Sequence, residues 1–477
     1  MGVTVMKFGG TSLATAGRIR DAAELVRRYA ALRPVVVVSA MGKASESVGK
    51  VTDALFSIAR EARTGPRGRD AALSALAELE ARHLSTLTEL VERGPLAEGV
   101  QAAIAQRFSE LRDFCIGVSL LGELSPRSLD AIAGYGEKLC SLLMAAMLTA
   151  LGTPAEAVSA EELIVTDDRF QNASPDMTAT TARSRARLGP LLEGGILPVV
   201  TGYIGATPEG VTTTLGRNAS DFSATIMGAA LHADEVWIWT DADGVMSADP
   251  RIVPTARTLP EISYVEASEL AYFGSNVLHP RTIVPAVQLN IPLRIKNTLN
   301  PEHPGTLISA ESPTSKHTAK AVTKINGLSL VTLHGLGMLG VPGLAGRAFS
   351  AVAAEGINIL MISQSSSESN ICFAIDQADV ERTLRALKAT FALEMLHHDI
   401  DVISAHHDVA IVAAVGRGMK GTPGVAGRVF AAVGQAGVNC LAIAQGSSEL
   451  NISFVVEGGQ AADAMRAVHE AVVEEGA

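Results

Sequence analysis

Two short polar segments of the sequence combine glycine with charged side chains in a pattern suited to phosphate. In the first, KFGGTS, Gly9 and Gly10 follow Lys7 where a predicted strand ends and a helix begins. Glycines let backbone N–H groups approach a phosphate, the helix N-terminus adds partial positive charge, and the lysine supplies a mobile full charge. A lysine that ends a strand is by itself more often a surface residue, so this hypothesis depends on the other motifs.

The second segment is TTTLGRNASD, residues 212–221, which leads into an apolar helix. Arg217 can grip a carboxylate through two parallel hydrogen bonds, and Ser220 and Asp221 lie where either helix capping or substrate contact would use them. Capping alone explains Ser220, but it does not explain an arginine in a glycine turn. Neither segment has the spacing of a P-loop, so the pattern indicates phosphate chemistry on a different scaffold.

Two further acidic positions adjoin predicted elements of the same region. Asp241 follows the buried strand Glu235–Thr240 at its carboxyl end, where open α/β sheets bind ligands. The DxD spacing there lacks the later positions of a calcium loop, which favours a nucleotide-side loop. Glu137, in GYGE, opens an amphipathic helix, where the helix dipole favours an acidic residue whatever the function.

The elements that must position these residues alternate between short apolar strands and helical patterns. Near-continuous apolarity predicts that the strands are covered on both faces, as in a parallel sheet between helix layers. The clearest strands are Val3–Lys7, Val35–Ser39, Ile196–Thr201, Glu235–Thr240 and Leu293–Lys296. Residues 63–121, rich in Ala, Leu, Glu and Arg, predict an inserted helical hairpin on the edge of the sheet.

A change in composition near residue 300, at NPEHPGT, predicts a domain boundary, and an internal repeat follows it. The segment from Gly335 to Asn358 recurs from Gly416 to Asn439, at a constant spacing of 81 residues. Each copy has the strand, helix, strand, strand, helix order of a ferredoxin-like unit. We therefore predict a catalytic domain at 1–305, a linker at 306–322, a first copy at 323–403 and a second copy at 404–477.

Composition excludes several classes of function. The net charge of −11 disfavours a broad grip on nucleic acid or an anionic membrane. The four cysteines have no metal-site or disulfide spacing, which indicates a reducing cytoplasm and no zinc site. The first residues form a strand and turn, so we expect no signal peptide, and no long charge-free apolar run predicts a membrane span.

Together, KFGGTS, GRNASDFSA, WTDADGVMSADPR, YFGSNVLHPRT and NPEHPGT resemble the aspartate kinases of the amino acid kinase family over nearly the whole chain. The repeat resembles paired ACT domains, and its QSSSE and QGSSE segments are similar to those in the kinase portion of aspartokinase–homoserine dehydrogenases. The resemblance implies an α/β amino-acid-kinase fold, mostly a parallel open sheet between helix layers, followed by two ferredoxin-like α+β ACT domains. It also implies ATP and Mg²⁺ as cofactors and L-aspartate as substrate.

By position, the resemblance implies three sets of site residues. Those that contact the transferring phosphate or organise the catalytic centre are Lys7, Gly9, Gly10 and Asp221. Those that hold aspartate are Ser45, Glu137 on the α-amino group, Arg217 on a carboxylate, and Ser220. Those that lie along the nucleotide are Thr240, Asp241, Met246, Arg251 and Lys296. Lys7, Gly9 and Gly10 would also contact the nucleotide. A carboxylate nucleophile is already anionic at neutral pH, so this reaction needs positioning and charge neutralisation rather than a general base.

Three positions depart from the family pattern: Ser45 stands where threonine is common, Met246 where tyrosine is common, and Asn276 where many members have lysine. Two alternatives stay open, an effector-binding regulatory protein with a decayed kinase site and another amino acid kinase, such as one acting on glutamate or acetylglutamate. Intact Lys7, Arg217 and Asp221 disfavour the first, and the paired repeat disfavours the second.

The resemblance of the repeat to ACT domains, and of its QSSSE and QGSSE segments to those of threonine-regulated relatives, implies regulation by an end-product amino acid, threonine in preference to lysine. The candidate effector contacts are Asn358 and Gln364 in the first copy, and Asn439 and Gln445 in the second, although the second copy could instead be purely structural. We also expect a homodimer or larger homo-oligomer formed through the ACT domains.

Overall fold

The structure, a computed structural model, describes residues 2–216, 219–273, 280–311, 318–365 and 369–474. The chain forms two compact units. The first contains the described residues up to Val245, Pro260–Tyr264 and residues 280–311. The second contains Met246–Leu259, residues 265–273 and the described residues from 318 onward. Two segments that the sequence analysis assigned to the catalytic domain therefore group with the repeat.

The first unit is built on an eight-stranded sheet with the order β3-β4-β2-β1-β7-β9-β10-β8. Neighbouring strands are parallel except for β9 and β10, so the prediction of a mostly parallel sheet is confirmed. A separate antiparallel pair, β5 and β6, lies beside it. The strands are β1 (Thr4–Phe8), β2 (Val35–Val38), β3 (Ala155–Val158), β4 (Leu197–Thr201), β5 (Ile204–Ala206), β6 (Thr212–Thr214), β7 (Glu235–Thr240), β8 (Glu261–Ser263), β9 (Leu293–Asn297) and β10 (Thr306–Ser309).

Helices cover both faces of this sheet. The helices of the first unit are α1 (Ala16–Arg28), α2 (Val51–Ala62), α3 (Pro66–Leu90), α4 (Pro95–Leu121), α5 (Pro126–Ala133), α6 (Tyr135–Ala150), α7 (Met177–Glu193), α8 (Ala219–Leu231) and α10 (Pro280–Gln288). Helix α9 (Tyr264–Tyr272) begins at the last residue of a first-unit segment, and its other residues group with the second unit. Met6 and Phe8 of β1 join one hydrophobic core with α1 and α6. Because side chains alternate along a strand, Lys7 faces the opposite side, where α8 packs on β1.

The inserted hairpin is present as α3 and α4, but its predicted place on the edge of the sheet is wrong. Both helices pack on other helices, α3 on α1, α2 and α6, and α4 on α2 and α6. Apolar side chains such as Leu76 and Phe108 enter the same core as the sheet residues. The hairpin therefore forms an outer layer over one face.

One stretch, Pro126–Ala150, is long and apolar enough by composition to cross a membrane. Its most apolar window is 83% buried inside the fold, as in the core helix of a globular domain.

The second unit contains a six-stranded antiparallel sheet with the order β12-β13-β11-β14-β16-β15. Both copies follow the predicted order of strand, helix, strand, strand, helix. The first copy contributes β11 (Ala321–His334), α11 (Leu344–Ala354), β12 (Met361–Gln364), β13 (Asn370–Asp376), α12 (Val380–Thr390) and the short α13 (Ala392–Leu396). The second contributes β14 (Val402–Val415), α14 (Val425–Gln435), β15 (Ala442–Ala444), β16 (Asn451–Glu457) and α15 (Ala461–His469).

The two long strands β11 and β14 each serve both copies. Residues 328–334 of β11 pair with β13 of the first copy, while residues 321–325 pair only with β14. Residues 409–415 of β14 likewise pair with β16, while residues 402–406 pair with β11 alone. Residues 402–406 of β14 therefore complete the sheet of the first ferredoxin-like unit, and residues 321–325 of β11 complete the sheet of the second.

Candidate active site

The first glycine turn packs backbone to backbone against a loop formed by residues 41–51, hereafter the 41–51 loop. After β1 and Gly9, a short 3-10 turn covers Gly10–Leu13. Gly42 N–H donates to the Gly10 carbonyl oxygen at 3.0 Å. A Cβ atom on Gly42 would lie 2.3 Å from that oxygen, so only glycine fits at position 42. The ends of the loop are joined by Val51 N–H, which donates to Met41 O at 3.0 Å.

The structure brings together the two residues predicted as catalytic. Lys7 Nζ lies 2.6 Å from Asp221 Oδ1, and only 11% and 12% of the two side chains are exposed. Lys7 comes from the carboxyl half of β1, and Asp221 from the first turn of α8, beside Ser220. A lysine and a carboxylate that are paired in a largely enclosed place can orient each other and can neutralise charge on an incoming ligand.

Glu137 is a buried carboxyl group with one oxygen left unpaired. Its Oε1 accepts a hydrogen bond from Ala40 N–H at 3.1 Å, whereas its Oε2 has no hydrogen-bond partner among the residues that the structure describes. Burial raises the pKa of Glu137 to about 8, although the hydrogen bond from Ala40 acts in the opposite direction. A buried acceptor without a partner is costly, which indicates a place for a donor group of a ligand.

These residues line one cavity of about 830 Å³. Of the predicted site residues, Lys7, Gly10, Glu137, Ser220 and Asp221 form part of its wall. The remaining wall includes residues that the sequence analysis did not select, among them Lys43, Lys50, Asp53, Arg60, Gln171 and Tyr203. The size of this cavity is within the range of small-molecule and cofactor sites.

Several predicted residues lie outside that wall. Gly9 is adjacent, since its Cβ position would be 3.3 Å from Lys7 Nζ. Ser45 is exposed, and its hydroxyl group serves the 41–51 loop itself by accepting from Val48 N–H at 3.2 Å. Thr240 Oγ1 donates to Asp241 Oδ1 at 3.2 Å, at the end of β7.

Lys296 is buried between aromatic rings. Its Nζ lies 5.4 Å from the centroid of the Trp237 ring and 5.3 Å from that of Trp239, and it donates to His303 O at 3.4 Å. Met246 and Arg251 belong to the second unit, where Arg251 pairs with Asp249 at 2.7 Å. Arg217 and Asn276 lie outside the described residues. The assigned roles of all these residues stay predictions.

Asp130 is a site-supporting residue that the sequence analysis missed. Its carboxylate is buried and accepts hydrogen bonds from Gln171 N–H at 2.8 Å, Thr214 N–H at 2.9 Å and Thr214 Oγ1 at 2.9 Å. It therefore joins two segments that reach the cavity wall at Gln171 and Gly216. Burial raises the pKa of Asp130 despite these three hydrogen bonds. An aspartate inside a helix carries no distinctive sequence signal, because its partners are distant in the chain.

In the second unit, the first copy contains a smaller cavity of about 330 Å³ between a glycine-rich loop and the edge strand β12. Both predicted effector residues are exposed, and Gln364 lines the cavity whereas Asn358 does not. The loop contributes Gly340, Val341 and Gly343. The structure thus brings one of the two predicted residues of this copy to a cavity of suitable size for a small polar ligand.

In the second copy, the side chains of two glutamates accept hydrogen bonds from the loop that corresponds to the glycine-rich loop of the first copy. Arg417 N–H donates to Glu266 Oε1 at 2.9 Å, and Gly421 N–H donates to Glu449 Oε2 at 2.7 Å. Glu266 is fully buried, and its Oε2 lies 3.1 Å from Lys320 Nζ. Positions 417 and 421 correspond to 336 and 340 in the first copy through the 81-residue spacing. Asn439 and Gln445 are exposed.

Comparison with known proteins agrees with this architecture. Residues 2–297 match the model of the amino acid kinase family, and residues 331–391 and 412–472 match an ACT domain model. The chain therefore belongs to the amino acid kinase family, among the members that carry paired ACT domains.

Its relatives are aspartokinases. The chain is 37% identical over 472 residues to bifunctional aspartokinase/homoserine dehydrogenase 1 of Zea mays, covering 98% of this chain and 50% of that protein. It is 33% identical over 476 residues to aspartokinase 2 of Arabidopsis thaliana, covering 98% of this chain and 84% of that protein. The chain spans about half the length of the bifunctional relatives.

Among solved structures, E. coli aspartokinase III in complex with aspartate and ADP matches with a TM-score of 0.80 and 29% identity, covering 99% of this chain and 100% of the other. Aspartokinase III in complex with lysine and aspartate matches with a TM-score of 0.79 at the same identity and coverage. The fold predicted from the sequence, an amino acid kinase sheet followed by ACT domains, is confirmed.

Proposed function

We propose that this protein is an aspartate kinase, which transfers the γ-phosphate of ATP to the side-chain carboxylate of L-aspartate and yields 4-phospho-L-aspartate. The observation that carries the proposal is one cavity that joins the Lys7–Asp221 pair to the unpaired carboxylate oxygen of Glu137. The first feature suits a phosphate, and the second suits an ammonium group. The complex of aspartokinase III with aspartate and ADP supports the same combination of ligands.

The chemistry follows from the charges in this cavity. The aspartate side chain is anionic at neutral pH, and one of its oxygens forms a bond to the γ-phosphorus directly. The bond between the γ-phosphorus and the bridging oxygen breaks, and ADP leaves with that oxygen and the electron pair. Lys7 would neutralise negative charge on the transferred group, and the Gly10 N–H, at the start of the 3-10 turn, would hold one of its oxygens. Asp221 keeps the Lys7 ammonium in this position before the nucleotide enters.

Mg²⁺ fits this site as an ion that enters with the nucleotide. It commonly binds one or two carboxylates together with phosphate oxygens and water. Of the carboxylates in the cavity wall, Asp221 would take this place, since it lies beside Lys7, the proposed phosphate contact. The ion would supply further neutralisation of the phosphate charge.

Glu137 would select an amino acid substrate by accepting the α-amino group on its free oxygen. A cationic donor offsets the cost of leaving this buried oxygen unpaired and also balances the charge of the ionised carboxylate, so dicarboxylates without an amine should bind poorly. Arg217 remains the proposed partner of a substrate carboxylate. Lys43 and Lys50, which also line the cavity, add positive charge for the substrate's carboxylates.

For regulation, we propose that an end-product amino acid, threonine in preference to lysine, binds the cavity at Gln364 in the first copy. In the second copy, Glu266 and Glu449 take the loop N–H groups, which supports a structural role for that copy. The reaction would be the first step toward lysine, threonine and methionine. A cytoplasmic location and a homodimer or larger assembly through the ACT domains complete the proposal.

The test is ATP-dependent acyl-phosphate formation trapped with hydroxylamine, with aspartate, glutamate and acetylglutamate as alternative substrates and threonine or lysine as effectors. We expect turnover with aspartate alone, inhibition by threonine and loss of turnover in Lys7→Ala. Turnover with another substrate would move the protein to a different amino acid kinase. Effector binding without any turnover would indicate a regulatory protein instead.

A further inference from the structure

One side chain of the inserted hairpin reaches both the first glycine segment and the 41–51 loop, which line the cavity. Arg82 lies on α3, and its Nη2 donates to Ala14 O at 3.2 Å and to Gly42 O at 2.8 Å, while its Nη1 donates to Gly49 O at 2.9 Å. Ala14 directly follows the 3-10 turn of the first glycine segment. Gly42 and Gly49 lie near the two ends of the 41–51 loop.

We propose that Arg82 is a positioning residue that fixes the 41–51 loop against the phosphate-binding turn. The guanidinium group is planar and presents several N–H donors in a fixed arrangement, so it can hold three carbonyl oxygens in a defined relation. This inference rests on the proposed kinase function for its kinetic consequences.

The clamped loop contributes directly to the cavity. Met41, Gly42, Lys43 and Lys50 all form part of the wall. Ala40, immediately before the loop, donates its N–H to Glu137, the proposed acceptor of the substrate amine. A shift of the loop would therefore displace both the cationic wall and the partner of Glu137, and it would do so on the aspartate side of the site.

Core burial anchors the two ends of the loop, since Met41 and Val51 are 1% and 0% exposed, whereas residues 43–50 between them are exposed. Within it, Ala44 N–H donates to Val48 O at 3.0 Å and Val48 N–H to Ser45 O at 3.3 Å. These hydrogen bonds shape the loop internally but do not attach it to the rest of the unit. Besides that burial, the loop is attached by the hydrogen bond from Gly42 N–H to Gly10 O at its start and by those of Arg82. Arg82 bonds the loop near both ends and also bonds Ala14, which follows the first glycine turn.

The expected kinetic effect is specific. If Arg82 positions the loop, its removal lowers the fraction of molecules that can bind aspartate, and the KM for aspartate rises in proportion. For Arg82→Ala we expect an increase of about tenfold or more, with a smaller increase for Arg82→Lys, which keeps the charge but loses the planar fork. The KM for ATP should change by less than about twofold. The phosphate-binding turn keeps its place without Arg82, because Gly9 N–H donates to Trp239 O at 3.4 Å.

The control is Arg112→Gln. Arg112 lies on α4 and pairs with Glu80 of α3, so this variant also removes an arginine contact from the hairpin without touching the loop. We expect its kinetic constants and thermal midpoint to match those of the unmodified protein. Addition of millimolar methylguanidinium should restore part of the aspartate affinity to Arg82→Ala and should not affect Arg112→Gln.

A second readout does not depend on catalysis. Hydrogen exchange followed by mass spectrometry on peptides that cover residues 41–51 should show about tenfold faster exchange in Arg82→Ala than in Arg112→Gln. Unchanged exchange and an unchanged KM for aspartate in Arg82→Ala would overturn the proposal, and so would equal effects in the two variants. Absence of aspartate phosphorylation by the unmodified protein would instead overturn the proposed function, while the exchange result would still decide whether Arg82 holds the loop.

Discussion

Lys7 Nζ lies 2.6 Å from Asp221 Oδ1, although the two residues are far apart in sequence. Lys7 belongs to β1, and Asp221 belongs to α8. The pairing depends on two local features. Strand alternation turns Lys7 away from the core that contains Met6 and Phe8, and α8 packs on that opposite side with Asp221 in its first turn. The relation between these two side chains defines the proposed catalytic end of the cavity.

Loss of either partner should reduce the rate of phosphoryl transfer. We expect Lys7→Ala to lower kcat by about 100- to 1000-fold, as for removal of one group that stabilises transition-state charge. Asp221→Asn should also lower kcat, because the ammonium loses its charged partner. In a double-mutant cycle, the combined loss should be smaller than the product of the single losses. Strictly multiplicative effects would show that the pair does not act as a unit.

The buried carboxyl of Glu137 predicts a specific pH dependence. Its pKa is raised to about 8, so below that pH the group is protonated and neutral in the free protein and cannot balance an ammonium group. We expect kcat/KM for aspartate to rise with pH up to about 8 and then level off.

The Glu137→Gln variant provides the matching control. It should lower kcat/KM by roughly 10- to 100-fold through loss of a charged hydrogen bond, and its profile should be flat around pH 8. A variant that keeps the pH dependence of the unmodified protein would exclude Glu137 as its origin.

His83, in the helical hairpin, predicts acid sensitivity of the first unit. Burial lowers the pKa of His83 from 6.5 to about 4, and its Nδ1–H donates to Leu79 O at 2.8 Å. The unfolded chain takes up a proton below pH 6.5 while the folded chain does not. The associated stability is therefore complete above pH 6.5 and is lost as the pH falls toward 4, by roughly 3 kcal/mol at most.

Urea unfolding followed by tryptophan fluorescence measures this effect, because Trp237 and Trp239 both lie in the first unit. His83→Leu should reduce the difference in unfolding free energy between pH 7 and pH 5. His232→Asn, a change at an exposed position, should leave that difference unchanged. The prediction is contradicted if both variants keep the full difference.

The repeat offers a matched pair for testing where the effector binds. Gln364 lines the cavity of the first copy, and Gln445 is its counterpart in the second copy. We expect Gln364→Ala to raise the threonine concentration for half-inhibition by about tenfold, since loss of one hydrogen bond to the effector costs about 1 kcal/mol or more. Gln445→Ala should have little effect. Equal shifts in the two variants would show that both copies bind the effector.

The sequence predicted those parts of the fold that depend on local pattern. The strand Glu235–Thr240 was predicted with its observed bounds, and the order of elements in each copy followed from the repeat. The placement of α3 and α4 was wrong because an amphipathic pattern does not identify the surface that a helix covers. The exchange of strand halves between β11 and β14 depends on pairing across the two copies, which the repeat pattern does not contain.

The same distinction applies to the cavity. Lys7 and Asp221 were predicted because they belong to motifs of glycine turns and helix starts, whereas the site role of Glu137 was predicted through the family resemblance. Asp130 and Arg82 act on backbone groups that are distant in sequence, and their own neighbours form ordinary helices. The role of Lys296 on the nucleotide side stays a prediction. The contact of its ammonium group with Trp237 and Trp239 was not predicted, because it depends on how β7 and β9 pair in the folded sheet.

The most direct test of the central claim follows the oxygen atoms of the substrate. Aspartate labelled with ¹⁸O in its side-chain carboxylate is incubated with ATP and hydroxylamine, and the released phosphate is analysed by ³¹P NMR. Phosphorylation of that carboxylate followed by attack of hydroxylamine at its carbonyl carbon leaves one ¹⁸O atom on each phosphate, which is the result that we predict. Phosphate without ¹⁸O, or labelled only when the α-carboxylate carries the isotope, would contradict the assignment of the side-chain carboxylate as the nucleophile.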